Sequence, residues 1–160
     1  MDKTDLRNQL LDFVQASARD ARQAMEAAAV EAREGATAAE KREDSRVALE
    51  QSGLARGHQQ RLSRALADLA ALESFTPPMK AKRIEPGAVV EVECDDVGRT
   101  FFIAPVGAGV ELTGPGGDGY LTVVTPSSPI GRAVMGCQPG DVVEIVAAGE
   151  KREWTVSYVG

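Results

Sequence analysis

Proline is confined to one part of this chain of 160 residues, and that partition decides what it can fold into. All eight prolines lie after residue 76, and of the sixteen glycines only Gly35, Gly53 and Gly57 come before it. Proline removes a backbone donor and clashes with the preceding helical turn, so long helices are open to the first half and closed to the second. Residues 1–75 are rich in Ala, Leu, Arg, Glu and Gln, which lose little side-chain freedom in a helix. Residues 84–160 hold five of the seven aromatics and most of the valines, which favour strands. The expected fold class is α+β, helices first and a sheet after, with domains at 1–75 and 84–160 and a linker at 76–83.

Along the first helix the apolar stripe runs Leu6, Leu10, Phe13 or Val14, Ser17, Ala21, Met25, Ala28 and Ala32, in steps of three and four. The second helix carries Val47, Leu54, His58, Leu62, Ala65, Leu66, Leu69, Leu72 and Phe75 in the reverse order of size. The two stripes predict an antiparallel coiled-coil hairpin, with a connection around Gly35 to Glu40. At 1.5 Å per residue, roughly 28 residues per arm make a finger about 42 Å long. Its alanine-rich end contributes little transfer energy and should be its least stable part. Gly53 and Gly57 cost about 1 kcal/mol each relative to alanine inside a helix, which predicts close packing of the opposite helix across both.

Thr76-Pro77-Pro78 ends the helical half. Beyond it, Ala88–Glu93, Thr100–Ala104, Gly109–Thr113, Tyr120–Thr125, Val142–Ala147 and Glu153–Val159 read as strands between Gly-, Pro- and Asp-rich turns. In the last of these, Trp154, Val156 and Tyr158 are expected to share one face and Thr155 and Ser157 the other, the pattern of a sheet covered on one side. Pro115-Gly116-Gly117-Asp118-Gly119 is a hairpin tip, without the lysine or the strand-loop-helix setting of a phosphate loop.

A net charge of −6 argues against broad nucleic-acid binding by counterion release and favours a protein partner. Cys94 and Cys137 lack metal-ligand spacing and are too few for a disulfide framework, so two small buried side chains in a reducing compartment are expected. No segment has the length of a signal core or a membrane span, which places the expected location in the cytoplasm with no membrane partner. His58, alone on an apolar stripe, reads as a partly buried packing residue.

The segment Ser127-Ser128-Pro129-Ile130-Gly131-Arg132-Ala133-Val134-Met135-Gly136 has the local grammar of a short helix. Ser128 is its cap, Pro129 its first position and Gly136 its end, and Pro139-Gly140 then turns the chain into Asp141-Val142-Val143-Glu144. The string resembles the C-terminal signature of the bacterial Gre-type transcription elongation factors, in which S-P-I-G-R-A-L-x-G precedes G-D-x-V-x-V. Glu50-Gln51-Ser52-Gly53-Leu54-Ala55-Arg56-Gly57 is similar to the E-Q-Q-G-F-x-x-G segment on the returning arm of the Gre finger. The resemblance implies a coiled-coil finger followed by a small antiparallel β domain with one short helix, of the fold shared with FK506-binding-type (FKBP-like) prolyl isomerases.

The same resemblance implies a monomeric factor that is not itself an enzyme. It would dock on bacterial RNA polymerase at the secondary channel through Ser127, Ser128, Pro129, Ile130, Gly131 and Arg132, with the finger reaching toward the 3′ end of the transcript. Acidic residues at a Gre tip help hold a second Mg²⁺ of the polymerase and activate a water, so that the polymerase cleaves backtracked RNA. No tightly bound cofactor is implied. By alignment, Glu40 and Glu43 fall on the tip glutamates, Asp44 replaces a tyrosine, and Thr37 stands where the family has aspartate. Glu40 is then the candidate ligand to the shared Mg²⁺, with Glu43 and Asp44 beside it; a hydroxyl at Thr37 supplies no anion to a hard cation. The plainer reading of these acids is a solvated helix start paired with Lys41, Arg42 and Arg46. Three alternatives stand beside transcript cleavage: a channel occupant that modulates polymerase without cleavage, a prolyl isomerase with a helical appendage, and an interaction module whose finger pairs with another helix.

Overall fold

A computed structural model describes residues 2–34 and 45–160. Helix α1 spans Lys3–Glu34 and α2 spans Ser45–Ser74. Six strands follow: β1 (Val89–Cys94), β2 (Val97–Ile103), β3 (Glu111–Thr113), β4 (Tyr120–Val124), β5 (Val142–Ala147) and β6 (Glu150–Val159). A single short helix among them, α3, spans Pro129–Val134. The chain divides into two compact units, one of Met1–Asp12 with Ala71–Gly160 and one of Phe13–Ala70.

In the helical unit, α1 and α2 lie side by side, with a groove of about 280 Å³ between them lined by Gln15, Ala18, Arg19, Arg22, Leu66 and Leu69. Val14 is buried and Phe13 exposed, and Ala18 rather than Ser17 continues the stripe through Ala21. On α2, Ala65 is buried. No described side chain of α1 beyond Ala21, or of α2 before Ala65, is buried. Leu54, expected on the inner stripe, is 63% exposed. Gly53 and Gly57 do not serve close helix packing either: a Cβ built on each meets no atom within 4 Å. That expectation is corrected, because the neighbouring helix does not approach either glycine.

The strand order is β3-β4-β2-β1-β6-β5. Pairing is antiparallel except between β2 and β4, which run parallel, whereas the sequence reading had an antiparallel sheet. The cause is topological: β3 and β4 form an antiparallel hairpin, and its second strand takes the place next to β2. The glycine-rich segment closes that hairpin as a 3-10 turn at Pro115–Gly117.

The face of the sheet toward α3 holds Val90, Val92, Phe101, Ile103, Val124, Val143, Ile145, Trp154 and Val156 in one cluster with Val134 of the helix. Covering on one side alone is not what forms. The paired row Val89, Phe102 and Val123 on the opposite face is also buried. In the same unit the helix ends contribute Leu6, Leu10 and Leu72, each with no exposed surface. Polar contacts fix those ends. Lys3 Nζ donates to Pro78 O at 2.6 Å, and Arg7 donates to the carbonyls of Leu72 (3.1 Å) and Glu73 (2.9 Å). Burial pushes the Lys3 ammonium below its ordinary range, against the charge of Glu85, which raises it.

Tyr158 departs from the expected alternation. The register slips between Glu91 and Val92, so Val92 faces Val156 while Glu91 faces Tyr158 and one residue of β6 is left over. That extra residue turns Tyr158 onto the face opposite α3, where it is exposed, and brings Val159 against the core.

Candidate docking helix

Six residues cannot hold a helix by propensity alone, so α3 depends on its ends and its seat. Ser128 makes both bonds expected of a cap: its Oγ accepts from the Gly131 N–H at 3.1 Å and donates to Thr125 O at 2.8 Å. Pro129 occupies the first turn, where its missing donor costs nothing. Gly131 is buried against the preceding turn, and a Cβ there would lie 1.9 Å from Thr125 O and 2.8 Å from Thr125 C. Only glycine lets the helix sit this close to that backbone.

The far end is pinned to the start of the β domain. Gly136, at φ +79°, donates its N–H to Ile84 O at 2.8 Å, and the Ile84 N–H returns a bond to Cys137 O at 2.9 Å. Val134 is fully buried, and Ile130, Ala133, Met135 and Cys137 pack against the core from its rim. Cys137 and Cys94 are half-buried free thiols rather than fully buried ones. The Cys137 thiol is pushed up by desolvation and by the charge of Asp141.

Each motif residue from Ser128 to Gly131 therefore has a structural task, and Arg132 has none. It is exposed, its backbone N–H completes a helical bond to Ser128 O at 2.9 Å, and its guanidinium makes no hydrogen bond or ion pair with any described residue. Ser127 is exposed beside it, its Oγ 3.4 Å from Thr125 Oγ1. A second cation near the helix escaped the sequence reading. Arg83 extends Nη1 to 3.5 Å from Gly136 O, and nothing in a Pro-rich linker marks that position in advance.

An N-terminal pair of long helices followed by a six-stranded sheet with one capped helix is the element order that the motif resemblance implied. Among solved structures, GreA factor homolog 1 of Thermus thermophilus is similar at 20% identity and a TM-score of 0.41, over 94% of each chain. The homolog of Thermus aquaticus is similar at 21% identity and a TM-score of 0.41, over 92% of each. The fold is α+β, two long helices followed by a mixed six-stranded sheet. No protein-family model and no curated protein matches the sequence.

Thr37, Glu40, Glu43 and Asp44 lie outside the described residues. His58 is half-buried as expected, with its Nδ1 enclosed and, among the described residues, without a hydrogen-bond partner. It borders a groove of about 490 Å³ with Glu50, Gly53, Leu54, Gly57 and Arg61. Among the described residues, no group of three or more Asp, Glu, His or Cys is arranged to hold a metal ion, and no helix is long and apolar enough to cross a membrane.

Proposed function

We propose that this chain is a Gre-type factor that binds bacterial RNA polymerase through α3 and the turn before it, and regulates elongation from the secondary channel. The observation that carries the reading is Arg132. Within a string that matches the Gre signature, it is a cation that the fold leaves unused, presented on a helix held rigid at both ends. An unpaired guanidinium on a backbone already held in place suits recognition of a complementary carboxylate on a partner, since only the side chain has to be ordered on binding.

The test is direct binding of the full chain to purified core polymerase. Arg132→Glu should weaken binding by about tenfold or more and leave the melting temperature unchanged, whereas Arg132→Lys should lose less. Equal affinity for the parent and Arg132→Glu would refute docking through this helix. A prolyl isomerase is less well supported, because Phe101, Phe102 and Trp154 are all buried in the core.

Whether the bound factor promotes cleavage depends on the tip acids. Glu40 would lend a carboxylate to a Mg²⁺ already held by polymerase, and Thr37 withholds the second anion. The parent is therefore expected to be weak on a backtracked complex, with Thr37→Asp raising cleavage and Glu40→Ala removing it without loss of binding. Vigorous cleavage that survives Glu40→Ala, Glu43→Ala and Asp44→Ala together would overturn this assignment.

A further inference from the structure

The two edges of the sheet are treated differently. At β3, the side-chain amide of Gln9 takes the place of a neighbouring strand. Its Nε2 donates to Thr113 O at 3.0 Å, and its Oε1 accepts from the Thr113 N–H at 2.9 Å. At β5, Val142–Ala147 pairs with β6 on one side and, among the described residues, with no strand on the other. An edge strand leaves alternate N–H and C=O groups pointing outward, ready to pair with another extended chain.

Apart from the single charge of Glu144, the sequence of β5, Val142-Val143-Glu144-Ile145-Val146-Ala147, lacks the usual guards: it has no proline, no lysine, and no bulge in its pairing with β6. Val143 and Ile145 face the core. Val142 and Val146 on the other face are 61% and 52% exposed, with Glu144 between them. Glu144 lies directly opposite Glu153 of β6, and Glu93 of β1 extends the negative charge across the same face. Lys151 is close to Glu144, at 2.6 Å, but the pair is more than half exposed on both sides and so contributes little.

We infer that the β5 edge is a β-augmentation site for an extended peptide segment with the pattern apolar-x-basic-x-apolar. Main-chain bonds would give the affinity, and side chains two residues apart would give the specificity. The partner's apolar residues would cover Val142 and Val146, and its Lys or Arg would sit beside Glu144. Charge argues against a second copy as the occupant: the register that pairs Val142 with Val146 sets Glu144 against Glu144. The inference is independent of the polymerase reading and can fail without it.

The experiment is amide chemical-shift titration of the full chain with the blocked peptide Thr-Val-Thr-Lys-Thr-Val-Thr, beside the same peptide with Glu for Lys. Shifts should concentrate in Val142–Ala147 and spare Glu111–Thr113, with the Lys peptide binding about tenfold tighter than the Glu peptide. Glu144→Lys should reverse that preference, and Glu144→Gln should abolish it with the fold unchanged. The inference is overturned by absence of binding at millimolar peptide, by shifts centred away from β5, or by a preference that Glu144→Lys does not alter. Self-association of the parent that is lost on Val146→Lys would overturn it as well, by naming a second copy as the occupant.

Discussion

Gly131 and Arg132 are neighbours with opposite roles, one needed for the fold and the other left over by it. Gly131→Ala would place a methyl group inside the van der Waals shell of Thr125 O, and the helix could accept it only by lifting off its seat. A loss of about 3 kcal/mol is expected, read as a lower denaturant midpoint at unchanged slope. The Cys137 thiol should alkylate more slowly at pH 8 than a free cysteine, because desolvation and Asp141 both disfavour the thiolate; Asp141→Asn should speed it. At this scale the cap and the first turn were legible, since Ser128 and Pro129 act through bonds within three residues of themselves. The seat of Gly131 was not, because it is set by a carbonyl six residues upstream. Tyr158 was misassigned for a similar reason: a period of two says nothing about where a partner strand will slip.

Among the described residues, the six strands and three helices fall near the positions that apolar periodicity and turn residues give, with β2 and β6 each beginning three residues earlier and β3 two residues later, and the registers between them left no such mark. Which strand lies beside β2 depends on how the β3–β4 hairpin folds back, a long-range choice that leaves no local mark. The α2 glycines show what local reasoning can misjudge. Their cost in a helix is real, and the compensation expected from close packing is absent. Gly53→Ala and Gly57→Ala should each stabilise α2 by about 1 kcal/mol, seen as a rise in the helical melting transition. Gln9→Ala should act on a strand 104 residues away in sequence, speeding hydrogen exchange at Thr113.

For the whole molecule, the compact unit built on the sheet recruits the first turns of α1 and the last of α2. A fragment of residues 76–160 keeps the core under α3 and loses Leu6, Leu10 and Leu72 from the chain. It should melt well below the full protein and bind a hydrophobic dye that the parent does not. Leu10→Ala in the full chain should cost about 2–5 kcal/mol, because the side chain is fully buried and its removal leaves a cavity. The bonds joining Ile84 to Gly136 and Cys137 have a dynamic consequence. With one end capped and the other stitched to a distant segment, α3 cannot fray one residue at a time. Its amides, together with that of Ile84, should exchange with deuterium in a single slow class whose rate follows global unfolding. A binding partner would then meet a preformed shape, and association would carry little of the delay that accompanies folding on contact.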